Sequence, residues 1–130
     1  AGVDVFMWHG LDDVPGGPGV GLFDENGAPK PGYYNYRLLI SSVDHFAAVE
    51  RVDAGRETLH VYRFTVADGS VGVVWGDGEE VPVDMSAIFG SGDVRLTYAL
   101  AEAGGAEHRT LTASATQVPI GPTPAVVTPN

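Results

Sequence analysis

From Phe46 onward, apolar and polar positions alternate in short runs separated by turn residues. Leu59, Val61 and Arg63 alternate with His60, Tyr62 and Phe64, and Leu96, Tyr98 and Leu100 alternate with Arg95, Thr97 and Ala99. A period of two sends successive side chains to opposite faces of a strand, so one face of each run can enter a core. Such runs cover Phe46 to Val52, Thr58 to Val66, Val71 to Trp75, Val81 to Met85, Val94 to Ala101, His108 to Ala115 and Ala125 to Thr128, with a shorter one at Gln117 to Ile120. Between them stand Asp53-Ala54-Gly55, Asp68-Gly69, Gly76-Asp77-Gly78, Gly90-Ser91-Gly92 and Gly104-Gly105, residues that tolerate the backbone angles of tight turns. Strands at this spacing, with almost no helix between them, predict a mainly β protein: an antiparallel β-sandwich of seven to eight strands.

The first 44 residues read differently. Val3 to Trp8 is apolar on both faces, as in a strand covered on two sides. A long loop rich in glycine and proline follows, from Gly10 to Pro31, and loops of that kind cover something or form the rim of a site. From Pro31 the apolar positions Tyr33, Tyr36, Leu39 and Ile40, widened by Leu38 and Val43, predict an amphipathic helix ending near Ser42 with Tyr33 and Tyr36 in the core. The chain thus divides into residues 1–44, a strand–loop–helix unit, and residues 45–130, the sandwich. The sandwich has enough apolar side chains to fold alone. One strand and one helix do not, because both strand edges stay open and the helix face lacks a partner.

A chain of 130 residues suits a single domain. Seventeen acidic residues stand against Lys30 and six arginines, for a net charge of -10, which argues against nucleic-acid binding and for a neutral or weakly charged partner. No apolar stretch approaches a membrane span. With no cysteine there is no disulfide framework, thiol nucleophile or cysteine zinc site. That suits secretion as well as cytoplasm; an extracellular or periplasmic location is the expectation.

The passage Gly21-Leu22-Phe23-Asp24-Glu25-Asn26-Gly27-Ala28-Pro29-Lys30-Pro31-Gly32-Tyr33-Tyr34-Asn35-Tyr36, set behind Val3-Asp4-Val5-Phe6-Met7-Trp8, resembles the end of a retaining glycoside hydrolase built on a (β/α)₈ barrel. There a similar passage links the eighth strand to the eighth helix. Val61-Tyr62-Arg63-Phe64, the strand leading into Trp75 and the closing Pro122-Thr123-Pro124-Ala125-Val126-Val127 look like the small β domain that often follows such barrels. A whole barrel needs about 250 residues. The resemblance therefore implies a C-terminal portion, a strand–loop–helix unit left over from the barrel plus an accessory sandwich, with the acid/base and nucleophile glutamates before Ala1. It implies no catalytic residue in this chain and no hydrolysis by it alone. The first residues show neither an initiator Met nor a signal segment, in keeping with that expectation.

The same resemblance makes Trp8 an aromatic platform beneath a sugar, where pyranose C–H groups stack on a ring face; packing between barrel and helix is the alternative. His9 suits either a sugar hydroxyl or a structural hydrogen bond. Asp12 and Asp13 suit solvent exposure or turn capping, with one of them, Asp12 foremost, as a sugar-hydroxyl partner. Adjacent residues rarely form the opposed carboxylate pair, about 5 to 5.5 Å apart, of a retaining glycosidase. His9, His45, His60 and His108 lack metal-ligand spacing, and the Asp77, Glu79 and Glu80 hairpin reads as a solvated turn rather than a calcium loop. No cofactor is expected. The expected partners are carbohydrate in the intact parent and the missing barrel, with a homodimer through residues 1–30 also possible on this reading.

Two rival readings come from other classes. A noncatalytic carbohydrate-binding module would grip glycan with Trp75 and Tyr98, although alternation places Trp75 in the core. A structural or dimerising domain would use the orphan strand.

Overall fold

The computed structural model describes residues 11–17, 19–101 and 106–130. The expected first strand, with Trp8 and His9, lies outside the described residues.

Helix α1 (Pro31–Val43) begins at the proline, whose missing N–H costs nothing in a first turn, after Lys30 in extended conformation. Strands follow as β1 (Ala48–Val52), β2 (Leu59–Val66), β3 (Gly69–Gly76), β4 (Val81–Val83), β5 (Asp93–Tyr98), β6 (Thr110–Ser114), β7 (Val118–Ile120) and β8 (Ala125–Pro129). A single-turn helix, α2 (Ser86–Phe89), interrupts them between β4 and β5. These strands pair antiparallel throughout. Six strands form one sheet in the order β1-β2-β3-β8-β5-β6, and β4 and β7 form a second, two-stranded sheet. The mainly β, antiparallel, two-sheet expectation holds, with sheets of unequal size.

The core lies between the sheets. Val61 stands opposite Val74 and Gly72 opposite Val127, so these share the face that meets the small sheet. Val94, Leu96 and Val127 from the large sheet and Val118 and Ile120 from the small one are at most 1% exposed, with Met85 sealing the same cluster. Burying each such side chain stabilises the fold by about 1.5 to 3 kcal/mol before chain entropy is counted. At Gly72 the packing is tight: a Cβ there would sit 3.3 Å from both Met85 Cε and Phe89 Cζ.

The opposite face of the large sheet carries α1. Leu38 and Leu39 meet Val73 and Val126 around an apolar crevice of about 270 Å³. Polar pairing fixes the contact: Asn35 Nδ2 donates to the Leu100 carbonyl at 2.9 Å and the Leu100 N–H donates to Asn35 Oδ1 at 2.7 Å. Phe46, just beyond the helix, packs edge-on against Phe64 of β2 at 5.3 Å.

Four expectations are corrected. Tyr33 and Tyr36 are not core: Tyr36 is 42% exposed and α1 has no buried residue, because the helix touches the sheet through its Asn35 and Leu38 side. Trp75 does not enter the core, since Gly72, Val74 and Gly76 take the inward positions of β3 and leave Val71, Val73 and Trp75 on the α1 side. Tyr98, a candidate platform, is inward and 4% exposed. Gly76-Asp77-Gly78 closes no hairpin, because β3 and β4 belong to different sheets and this turn carries the chain across.

Candidate functional site

Asp13 organises the loop before α1. Its Oδ1 accepts from the Gly21 N–H at 2.6 Å, and its Oδ2 accepts from Lys30 Nζ at 2.8 Å. The same ammonium donates to the Gly19 carbonyl at 2.7 Å, so one lysine joins both ends of the loop. The ion pair with Lys30, then the Gly21 N–H, holds the Asp13 carboxyl below its ordinary range against the opposing effect of desolvation. Backbone bonds complete the knot: Asp13 N–H donates to Phe23, Leu22 and Phe23 N–H both donate to Leu11, and Lys30 N–H donates to Leu22. Asp24 Oδ1 accepts from Asn26 and Ala28 N–H at 2.8 and 2.9 Å, closing a tight turn in which Gly27 adopts φ 78°.

Between Gly19–Leu22 and α1 this loop leaves an open, apolar groove of about 530 Å³, lined by Val20, Leu22, Tyr36 and Leu39 with Lys30 at its edge. Of the expected sugar contacts, only Asp12 is described. It is exposed, and its backbone bridges to Phe23. The structure gives Asp13, its neighbour, the structural role. Asp13 and Lys30 went unrecognised as a pair in the sequence; the signal was that Lys30 is the sole lysine of an acidic chain, set between Pro29 and Pro31.

Two further clusters lie on the sandwich. On the α1 side of the sheet, the Trp75 indole stacks on the His60 imidazole, with centroids 4.9 Å apart and planes 16° apart, and on the Tyr62 ring at 5.6 Å and 12°. Register explains this, since His60 is directly opposite Trp75 and Tyr62 is two residues along the same face. His60 Nε2 meets Asp77 Oδ2 at 2.8 Å, and the Asp77 N–H donates to the Thr58 carbonyl. On the core side, the Arg109 guanidinium lies 4.0 Å over the Tyr98 ring, while the Tyr98 hydroxyl is buried without a hydrogen-bond partner. Burial raises the Tyr98 pKa, Arg109 opposes the rise and Glu80 adds to it. His108 Nδ1 donates to the Tyr98 carbonyl at 2.8 Å, because a carbonyl can only accept.

Among the described residues no group of three or more His, Asp or Glu side chains is placed to hold a metal ion, and no helix is long and apolar enough to cross a membrane. Asp13 is paired with Lys30, and Asp77 with His60, each at 2.8 Å. Fold and site define a mainly β protein of two antiparallel sheets carrying a knotted loop and one apolar-faced helix. No family model matches the chain, and no curated protein or solved structure matches it.

Proposed function

We propose that this chain is the C-terminal part of a retaining glycoside hydrolase: the last β/α unit of a (β/α)₈ barrel followed by an accessory β-sandwich. In the whole enzyme Trp8, His9 and Asp12 form part of the rim of the sugar site, and the chain has no hydrolytic activity by itself. The observation that carries this reading is the uncovered apolar surface of α1 and its loop. Val20, Tyr36, Leu39 and Ile40 are 62, 42, 37 and 46% exposed, on an element that the sandwich grips from one side only. A barrel helix packs on its own strand and on the neighbouring helices, so it needs apolar surface beyond what a following domain covers. The knotted loop adds support, since it orders a long segment at considerable entropic cost and so suits a fixed rim.

The decisive measurement is the coding sequence upstream of Ala1. An open frame of about 250 codons, with one glutamate after a fourth strand and another after a seventh, is the expected result. A stop codon directly upstream would sink the proposal, as would turnover of aryl-glycosides by the purified 130-residue chain.

A further inference from the structure

We propose that the open edge of β6 is a dimerisation surface, on which a second copy of this chain pairs its own β6 antiparallel about a two-fold axis at Thr112. This goes beyond the barrel reading and does not depend on it. β6 ends the six-stranded sheet, with β5 on one side and no strand on the other among the described residues. The Tyr98 N–H donates to the Arg109 carbonyl and the Ala115 N–H to the Gly92 carbonyl, in the register that sets Leu96 opposite Leu111. Backbone groups along an antiparallel strand point to alternate sides, so Leu111 and Ala113 bond to β5, while Thr110, Thr112 and Ser114 turn their N–H and C=O groups outward. The Ser114 carbonyl accepts from the Gln117 N–H, whereas Thr110 and Thr112 have no backbone partner on that side among the described residues. Edge backbone left open is a template for another strand, and proteins that avoid such pairing protect it with charge, proline or a bulge. Thr110-Leu111-Thr112-Ala113-Ser114 has none of these.

The pattern of β6 selects a second copy as the occupant. A two-fold axis perpendicular to the sheet sets residues of the same face opposite each other, so Thr112 meets the partner's Thr112, Leu111 meets the partner's Ala113 and Thr110 meets the partner's Ser114. The paired Thr112 residues exchange two backbone bonds. Each Ser114 N–H donates to the partner's Thr110 carbonyl, and each Thr110 N–H donates to the partner's Ser114 carbonyl, which has a second lone pair besides the one used by Gln117. Hydroxyl side chains thereby pair on one face of the sheet. On the other face Leu111, 41% exposed although it stands opposite buried Leu96, gains an apolar neighbour. The opposite edge strand, β1, does not suit the same operation: an axis at Glu50 sets two carboxylates against each other, and an axis at Arg51 sets two guanidinium groups against each other. Pairing through β6 joins the two six-stranded sheets into one continuous sheet.

The test is sedimentation velocity of the 130-residue chain at concentrations up to about 1 mM, because one strand edge is a small interface and a weak dimer is expected. Salt at about 0.15 M screens the mutual repulsion of two acidic copies. A concentration-dependent shift to twice the monomer mass is expected, and the Thr110 and Thr112 amide hydrogens should exchange more slowly as concentration rises, because pairing covers them. Thr112→Pro removes an outward N–H without touching the ladder to β5, and should raise the dimer dissociation constant about tenfold or more. Thr112→Lys sets like charges across the axis and should act in the same direction; it carries the test if circular dichroism shows that the proline variant fails to fold. Ile40→Lys, on the exposed face of α1, should leave the dissociation constant unchanged. A chain that stays monomeric throughout overturns the proposal. So does a dimer that survives both Thr112 substitutions, that Ile40→Lys dissociates, or that leaves the Thr110 and Thr112 amides in fast exchange.

Discussion

Asn35 and Leu100, 65 residues apart in the chain, are joined by both hydrogen bonds that a side-chain amide can exchange with one residue's backbone. The amide stands in for a neighbouring strand just beyond the end of β5, and it fastens α1 to the sheet where apolar contact alone leaves the helix unburied.

Asn35→Ala removes both bonds and leaves the Leu100 N–H and carbonyl without these partners in a partly buried setting. The expected cost is about 1 to 3 kcal/mol. Urea unfolding monitored by circular dichroism measures it, and Asn35→Asp, which sets a carboxylate oxygen against the Leu100 carbonyl in place of the donor, should cost at least as much as alanine.

Ile40→Lys should change stability by less than about 0.5 kcal/mol, because Ile40 is 46% exposed and meets no core. A loss of several kcal/mol in the isolated chain would place the helix face inside the fold and contradict its role as a surface for further structure.

The Asp13–Lys30 pair makes the loop acid-sensitive. A carboxyl whose folded pKa lies below its unfolded value, about 3.9 for Asp, stabilises the fold fully above that value. The contribution is lost as pH falls through the lower, folded value. Wild type should therefore lose loop protection in amide hydrogen exchange below about pH 4, whereas Asp13→Asn should show weak protection and no such step.

Gly21→Ala should disrupt the same knot at every pH. A Cβ at Gly21 would lie 2.6 Å from the Asp12 carbonyl carbon and 2.7 Å from the Asp13 nitrogen, and backbone cannot yield as a flexible side chain would. Limited proteolysis should then cut between Asp13 and Lys30 in the variant at a concentration that leaves wild type intact.

Tyr98→Phe should leave stability unchanged or raise it by about 1 kcal/mol, since it deletes a buried hydroxyl that has no partner and keeps the ring under Arg109. A clear destabilisation in chemical denaturation would reveal a hydrogen bond to this hydroxyl.

Local chemistry was enough to place most elements. The strands from β1 to β8 follow from alternation and turn residues that act within a few positions, and Pro31 marks the start of α1 because its ring fits a first helical turn. The single turn of α2 is too short to show a helical period, and it was missed. Asp12 was read as exposed or capping a turn, with a sugar-hydroxyl contact as its candidate role; it is exposed with its backbone in a bridge, and the sugar contact stays a proposal.

By itself, then, the sequence determined where the backbone is extended, where it turns and where the helix starts, because those preferences are set by neighbouring residues. Only the tertiary structure decided which face of β3 is inward. Both of its faces are apolar, one packing on the small sheet and the other on α1, so alternation alone could not tell Val74 from Trp75. It also decided that Lys30 reaches Asp13, that Asn35 pairs with Leu100 and that Tyr36 faces out. Each of these depends on how distant segments are brought together, and that is fixed by packing rather than by any local preference.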